Sequence, residues 1–81
     1  MDPFTAACET AKTLASKMTD TDKLTLYSLF KQATVGDCTT PEPSFLDVVG
    51  KAKWAAWKER KGIPQGVAKK VYADVVKQLT G

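Results

Sequence analysis

The chain has 81 residues, 43% of them hydrophobic and 26% charged, with a net charge of +3 and no histidine. Such a length holds one small domain with a limited core, so residues 1–81 are read as a single domain. No apolar run approaches the ~20 residues of a membrane span, and the missing histidine removes the commonest general base and the commonest metal ligand together.

The opening residues Met1 to Thr5 show no basic stretch followed by an apolar block, so no signal peptide is expected and a cytoplasmic location is. Asp2 or Pro3 starts a first helix, since aspartate caps well and proline fits the first turn. Phe4, Ala7, Cys8, Ala11, Leu14, Ala15 and Met18 then recur within about a third of a turn, which predicts one helix as far as Met18. Cys8 lies on this apolar face and reads as a small buried thiol. With Cys38 it makes no disulfide framework, and neither cysteine has a histidine to activate it. Lys12 sits at the edge of the stripe, beside Cys8 and Ala15.

The run Thr19 to Asp22 offers several N-caps and marks a break. A second helix is predicted from Asp20 to about Val35, ending at Gly36 and Asp37. Leu26, Leu29, Phe30 and Ala33 form its core stripe, while Leu24, Tyr27 and Lys31 fall at i, i+3 and i+7 on the opposite side. That second face offers apolar contact, a stacking ring and a cation to one amphipathic partner. Residues 38–47, with two prolines, read as an ordered loop. Its length predicts that the second and third helices are not simple antiparallel neighbours.

A third helix is predicted from about Val48 to Lys61. Trp54 and Trp57 share a face bordered by Lys53 and are expected to supply much of the core, with Val48, Ala52, Ala55 and Ala56 on the other side. After Gly62, Pro64 leads into a fourth helix. Its stripe of Val67, Ala68, Val71, Tyr72, Val75, Val76 and Leu79 is wide enough to be buried against two other helices. Tyr72 lies toward one margin, so its ring is expected inside and its hydroxyl wet. Four amphipathic helices without a strand signal give an all-α four-helix bundle.

Two stretches are familiar as words. Tyr27, then Phe30 to Thr34 (Phe-Lys-Gln-Ala-Thr), then Gly36 and Asp37 resemble one signature of the acyl-CoA-binding protein family. Gly50 to Trp54 (Gly-Lys-Ala-Lys-Trp), followed by Trp57, Lys61 and Gly62, resembles the other at the expected separation. The resemblance implies a bundle with a bowl at one side, where the acyl chain is shielded against the protein and the nucleotide lies over it. It implies non-enzymatic binding and transport of medium- to long-chain acyl-CoA as a carried ligand, with no cofactor and no metal. Tyr27, Lys31, Lys53 and Tyr72 match the family's binding tyrosines and lysines.

Such a ligand needs cations for its 3′-phosphate, a platform for adenine and a lined groove for its tail. Lys31 and Lys53, with Lys12 as a third cation, are the candidates for the phosphate. Tyr27 and Tyr72 serve the adenine, and Leu24 with Val48 the acyl chain. Val48 stands where the family is often aromatic and Lys23 where it is often apolar, so chain-length preference does not carry over. The expected partners are long-chain acyl-CoA, with acyl-CoA-using enzymes or membrane surfaces as transient contacts, and the chain is expected to be monomeric. A basic nucleic-acid module is the main rival, but there is only one arginine, the lysines are interleaved with acids, and no basic recognition helix is apparent. A protein–protein signalling module of the same family is a third reading. No nucleophile, base and orienting group can be assembled into an enzyme.

Overall fold

Three of the helices begin on side chains that satisfy the free N–H groups of a first turn. The computed structural model describes residues 2–81. Helix α1 (Pro3–Leu14) starts where the Thr5 N–H donates to Asp2 Oδ1 at 2.7 Å, with Pro3 in its first turn. Helix α2 (Asp20–Thr34) opens with a reciprocal cap, Asp22 N–H to Thr19 Oγ1 at 3.0 Å and Thr19 N–H to Asp22 Oδ2 at 3.1 Å. Helix α3 (Val48–Lys58) is capped by Asp47, which accepts from the Gly50 N–H at 3.0 Å. Helix α4 (Gln65–Thr80) follows Pro64 without a side-chain cap.

Two helices are shorter than their apolar periodicity predicts. α1 stops at Leu14 and continues as a 3-10 turn, Ala15–Lys17. Thr13 donates its hydroxyl to the Thr10 carbonyl at 2.7 Å, a local bond that competes with the α-helical ladder. The exposed side chains of residues 15–17 have no packing to restore it. α3 ends at Lys58 rather than Lys61, because residues 57–61 tighten into i→i+3 bonds, Arg60 N–H to Trp57 O and Lys61 N–H to Lys58 O. Gly62 completes that turn at φ +89°, and Gly36 ends α2 at φ +101°, both in the left-handed region that glycine tolerates.

α4 packs against both α1 and α2, as the width of its stripe predicts, and α3 packs against α2. Ala7, Ala11, Leu26, Leu29, Tyr72 and Val76 form the buried core where α1, α2 and α4 meet, with Phe4, Cys8, Leu14 and Met18 against it. Contacts between α2 and α3 advance together along both helices. Leu24 lies beside Val48 and Ala52, Tyr27 beside Lys53, and Lys31 beside Trp57. The two helices therefore run parallel, and the long 35–47 connection exists to carry the chain back to the start of α3.

The molecule measures 36 × 28 × 16 Å, its thin dimension that of two packed helix layers with axes about 8–10 Å apart. Few side chains can be buried on all sides in such a slab, and two expectations fail for that reason. Phe30, placed in the core stripe, is 40% exposed. Trp54 is only half-buried and donates its indole N–H to the Thr40 carbonyl at 2.9 Å, so Trp57, 5% exposed, is the core tryptophan. The fully buried positions of α2 include two polar residues instead, Ser28 and Gln32. Ser28 Oγ accepts from Arg60 Nε at 3.0 Å, and Gln32 Nε2 donates to the Ile63 carbonyl and to Asp37 Oδ1, both at 2.8 Å. Among the described residues, no helix is long and apolar enough to cross a membrane.

Two predictions follow from this packing. Leu29 is 1% exposed, so Leu29→Ala should lower unfolding free energy by about 2–5 kcal/mol in a denaturant titration, and Phe30→Ala by clearly less. Asp37 is held below the usual carboxylate range by the Gly62 N–H first, then by the Gln32 amide and by Lys61. A lowered carboxyl contributes stability above its unfolded value of 3.8 and loses it as pH falls through the folded value. Thermal melts of Asp37→Asn should therefore show a lower midpoint at neutral pH and a shallower decline in acid. The Asp2 cap, lowered chiefly by the Thr5 N–H, keeps its own part of that decline.

Candidate functional site

The face shared by α2 and α3 carries cations over aromatic rings. On α2, Tyr27 and Lys31 are one turn apart; on α3, so are Lys53 and Trp57. Lys53 Nζ lies 5.3 Å from the Tyr27 ring centroid, and Lys31 Nζ lies 4.9 Å from that of Trp57. Ring and cation thus exchange helices from one rung to the next. A third pair within α3 puts Lys58 Nζ 4.6 Å from the Trp54 ring. Each contact holds a long side chain by attraction to the ring face, about 0.5–1 kcal/mol at an exposed site.

Beside the first rung is a cavity of about 300 Å³ between the starts of α2 and α3, lined by Leu24, Val48, Val49, Ala52 and Lys53, with Asp20 and Lys23 at its α2 wall. Its floor is aliphatic and its margins are charged, which suits a ligand with an apolar tail and a polar head. A larger cleft, about 420 Å³, opens between the start of α1 and α4. Four of the seven residues that line it are charged, namely Asp2, Lys69, Lys70 and Asp74, and it contains none of the predicted site residues. We place the candidate site at the smaller cavity, where the predicted residues converge.

Three of the seven predicted residues line it, Leu24, Val48 and Lys53, and Tyr27 adjoins it through its contact with Lys53. Val48 forms the rim rather than the wall, being 74% exposed. Lys31 belongs to the next rung, over Trp57. Tyr72 lies elsewhere, in an aromatic cluster with Phe4 and Phe30, with ring centroids 5.2 Å and 6.3 Å away. Its phenol is not the wet group the sequence suggests. Burial, with the Cys8 thiol beside it, pushes its pKa up to about 12. Lys12 is exposed on α1 and pairs with Glu9 at 3.4 Å.

Comparison with known proteins gives a consistent set of matches. A family model described as acyl CoA binding protein matches residues 1–76. Acyl-CoA-binding protein homolog 1 of Caenorhabditis elegans is 47% identical over 76 residues, which is 94% of this chain and 88% of that protein. The acyl-CoA-binding protein homolog of Drosophila melanogaster is 45% identical over 78 residues, 96% of this chain and 91% of its own length. The crystal structure of Oryza sativa acyl-CoA-binding protein 2 superposes with a TM-score of 0.92 at 42% identity, covering 96% of this chain and 87% of that one.

Sequence reasoning missed Val49 and Ala52 as cavity wall and Phe4 with Phe30 as partners of Tyr72. Phe4 and Phe30 sit at helical spacing that reads as core, and Ala52 lies on the side away from the tryptophan face. Position alone does not say which edge of a stripe will lack a covering helix.

The environment of Tyr72 makes a prediction that needs no ligand. A phenol raised from its ordinary 10.0 to about 12 contributes stability that is complete below pH 10 and is lost as pH climbs between those values. Wild type should therefore lose stability between about pH 10 and 12, while Tyr72→Phe should show a flatter alkaline limb in thermal melts. The same substitution should remove a phenolate absorbance step near the top of that range.

Proposed function

The chain belongs to the acyl-CoA-binding protein family, and from that premise we propose that it carries an intact medium- to long-chain acyl-CoA thioester. Its membership is of a binding family, not a catalytic one. In this proposal the acyl tail lies along Leu24 and the rim at Val48. The adenine and 3′-phosphate are held by Tyr27, Lys31 and Lys53, with Lys12 as an outer cation. The observation that carries the reading is the Tyr27–Lys53 rung, 5.3 Å across, set directly beside an aliphatic cavity. A polar head and an apolar tail on one molecule match that juxtaposition. No resident cofactor is proposed. We also propose that residues 1–81 act as one domain and as a monomer in the cytoplasm, with enzymes that use acyl-CoA as transient partners.

On this reading, chain-length preference is set by cavity size. About 300 Å³ is at the low end for a small-molecule pocket, so only part of a long tail is lined by it. Each buried methylene contributes about 0.8 kcal/mol, or roughly fourfold in affinity, until the groove is full.

Calorimetry with acyl-CoAs of rising length should therefore show affinity climbing and then levelling, and free CoA and free palmitate should each bind far more weakly than palmitoyl-CoA. Equal affinity for octanoyl- and palmitoyl-CoA would remove the lined groove from the account. Mass spectrometry after incubation should return the thioester intact. For the head group, Lys31→Ala is compared with wild type against palmitoyl-CoA and its analogue lacking the 3′-phosphate. A charge-assisted bond there predicts a loss of about one to two decades for the first ligand and little for the second. Equal losses would assign Lys31 to the Trp57 contact and make Lys53 the better phosphate ligand.

A further inference from the structure

The cavity beside the Tyr27–Lys53 rung has two kinds of wall. Leu24, Val48, Val49 and Ala52 give it a carbon surface, while Asp20 and Lys23 line it from the first turn of α2. Three residues apart, those two share one face of the helix. Neither is committed elsewhere. Among the described residues the ion pairs are Lys12 with Glu9 and Lys51 with Glu42, and neither side chain makes a hydrogen bond. Their charged neighbours are occupied, Asp22 with the Thr19 N–H and Lys53 over the Tyr27 ring. The cavity therefore keeps one unpaired acceptor and one unpaired donor at the same end. Their level along α2 decides which part of a ligand they meet. Lys31, Tyr27, Leu24, Lys23 and Asp20 follow one another back toward the start of the helix. At ~1.5 Å per residue, Lys23 and Asp20 lie about 12 Å and 17 Å below Lys31. A head group held at Tyr27, Lys31 and Lys53 sends only the distal part of its tail that far.

We propose that Asp20 and Lys23 form a polar stop at the distal end of the groove, and that the preferred cargo is an acyl-CoA with a hydroxyl on the distal part of its chain. The inference rests on the acyl-CoA reading of the same cavity. An ammonium only donates hydrogen bonds and a carboxylate only accepts them. A hydroxyl does both, so it can accept from Lys23 Nζ and donate to an Asp20 oxygen at once. A terminal carboxylate would gain at Lys23 but meet Asp20 as a like charge, and a terminal amine would reverse the conflict. A terminal methyl satisfies neither and takes water from both as it seats. The carbon wall discriminates by position. A hydroxyl nearer the thioester would be set against Leu24 and Ala52, where it loses water and finds no partner.

The test is calorimetry of the whole chain with octanoyl-, dodecanoyl- and palmitoyl-CoA and with the ω-hydroxy form of each. At the length whose end reaches Lys23, the hydroxyl should raise wild-type affinity about three- to tenfold, the range of one net hydrogen bond. Lys23→Met should lose most of that gain. The double substitution Asp20→Ala, Lys23→Met should reverse the comparison, because the hydroxyl then has no partner in an apolar wall. The same variant should bind the unsubstituted chain more tightly than wild type does, since its wall is aliphatic throughout. Dodecanedioyl-CoA and 3-hydroxydodecanoyl-CoA complete the set, and neither should bind more tightly than the ω-hydroxy form. A dioyl chain that binds tightest would assign the wall to an anion and overturn the hydroxyl. A hydroxyl that weakens wild-type binding at every length, or whose gain survives the double substitution, overturns it as well. Those results leave the carrier function standing, because the unsubstituted chains still bind. If no acyl-CoA of any kind binds, the carrier function fails and this cargo fails with it.

Discussion

Asp37 Oδ1 accepts from two groups far apart in the chain, the Gln32 amide at 2.8 Å and the Gly62 N–H at 2.9 Å, and the rest of the architecture hangs on that junction. The same Gln32 amide nitrogen also donates to the Ile63 carbonyl at 2.8 Å. Two side chains therefore join the end of α2 to the turn between α3 and α4. Trp57 closes the arrangement by donating to the Gly36 carbonyl at 2.8 Å. Each helix in a slab 16 Å thick keeps a wet side, so the apolar area available for burial is limited. Directional bonds at buried Ser28, Gln32 and Trp57, reaching Arg60, Ile63 and Gly36, add register to that packing. One strain remains: Gln32 Oε1 is buried without a partner among the described residues, and a group in that state costs about 1–3 kcal/mol.

Much of this was readable in the sequence, and the readable part is what local physics decides. The caps at Asp2 and in the Thr19–Asp22 run, the glycine stops at Gly36 and Gly62 and the apolar periodicity of α4 located the helices. The length of the 38–47 loop pointed to helices that are not antiparallel, and the rungs Tyr27–Lys53 and Lys31–Trp57 show them parallel. What failed was the assignment of depth. Phe30 and Trp54 are at positions a helical wheel calls internal, but depth depends on whether a third helix covers them, and in so thin a molecule it often does not. Ser28 and Gln32 were overlooked for the converse reason. Polar residues next to a core stripe read as solvated unless the distant partners, Arg60 and Ile63, are already known.

The candidate site was legible in a different way. Spacing placed Leu24, Tyr27 and Lys31 together on α2, but only the likeness to a family connected them with Lys53 on α3, across the loop. The cavity then supplied what neither could, the aliphatic wall of Val49 and Ala52 and the exposed rim at Val48. Tyr72 shows the limit of that method. Its residue type matched the family, yet its surroundings, with Phe4, Phe30 and Cys8, follow from packing between helices that no local pattern encodes.

One geometric relation explains why a single stretch of sequence marks both the fold and the site. Ser28 and Gln32 form one i, i+4 row on α2, and Tyr27 and Lys31 form another, one residue earlier and so about 100° around the helix. The first row is buried and bonded to Arg60, Asp37 and Ile63; the second stands over Lys53 and Trp57. A rigid helix cannot turn one row without turning the other. The bonds that fix Ser28 and Gln32 therefore also fix the angle at which Tyr27 and Lys31 face α3. Residues such as Gln32, Gly36 and Asp37, which touch no part of the cavity, serve the site by holding α2 at that angle. Their place in the same signature as Tyr27 and Lys31 is a consequence of helix geometry and does not require them to contact a ligand.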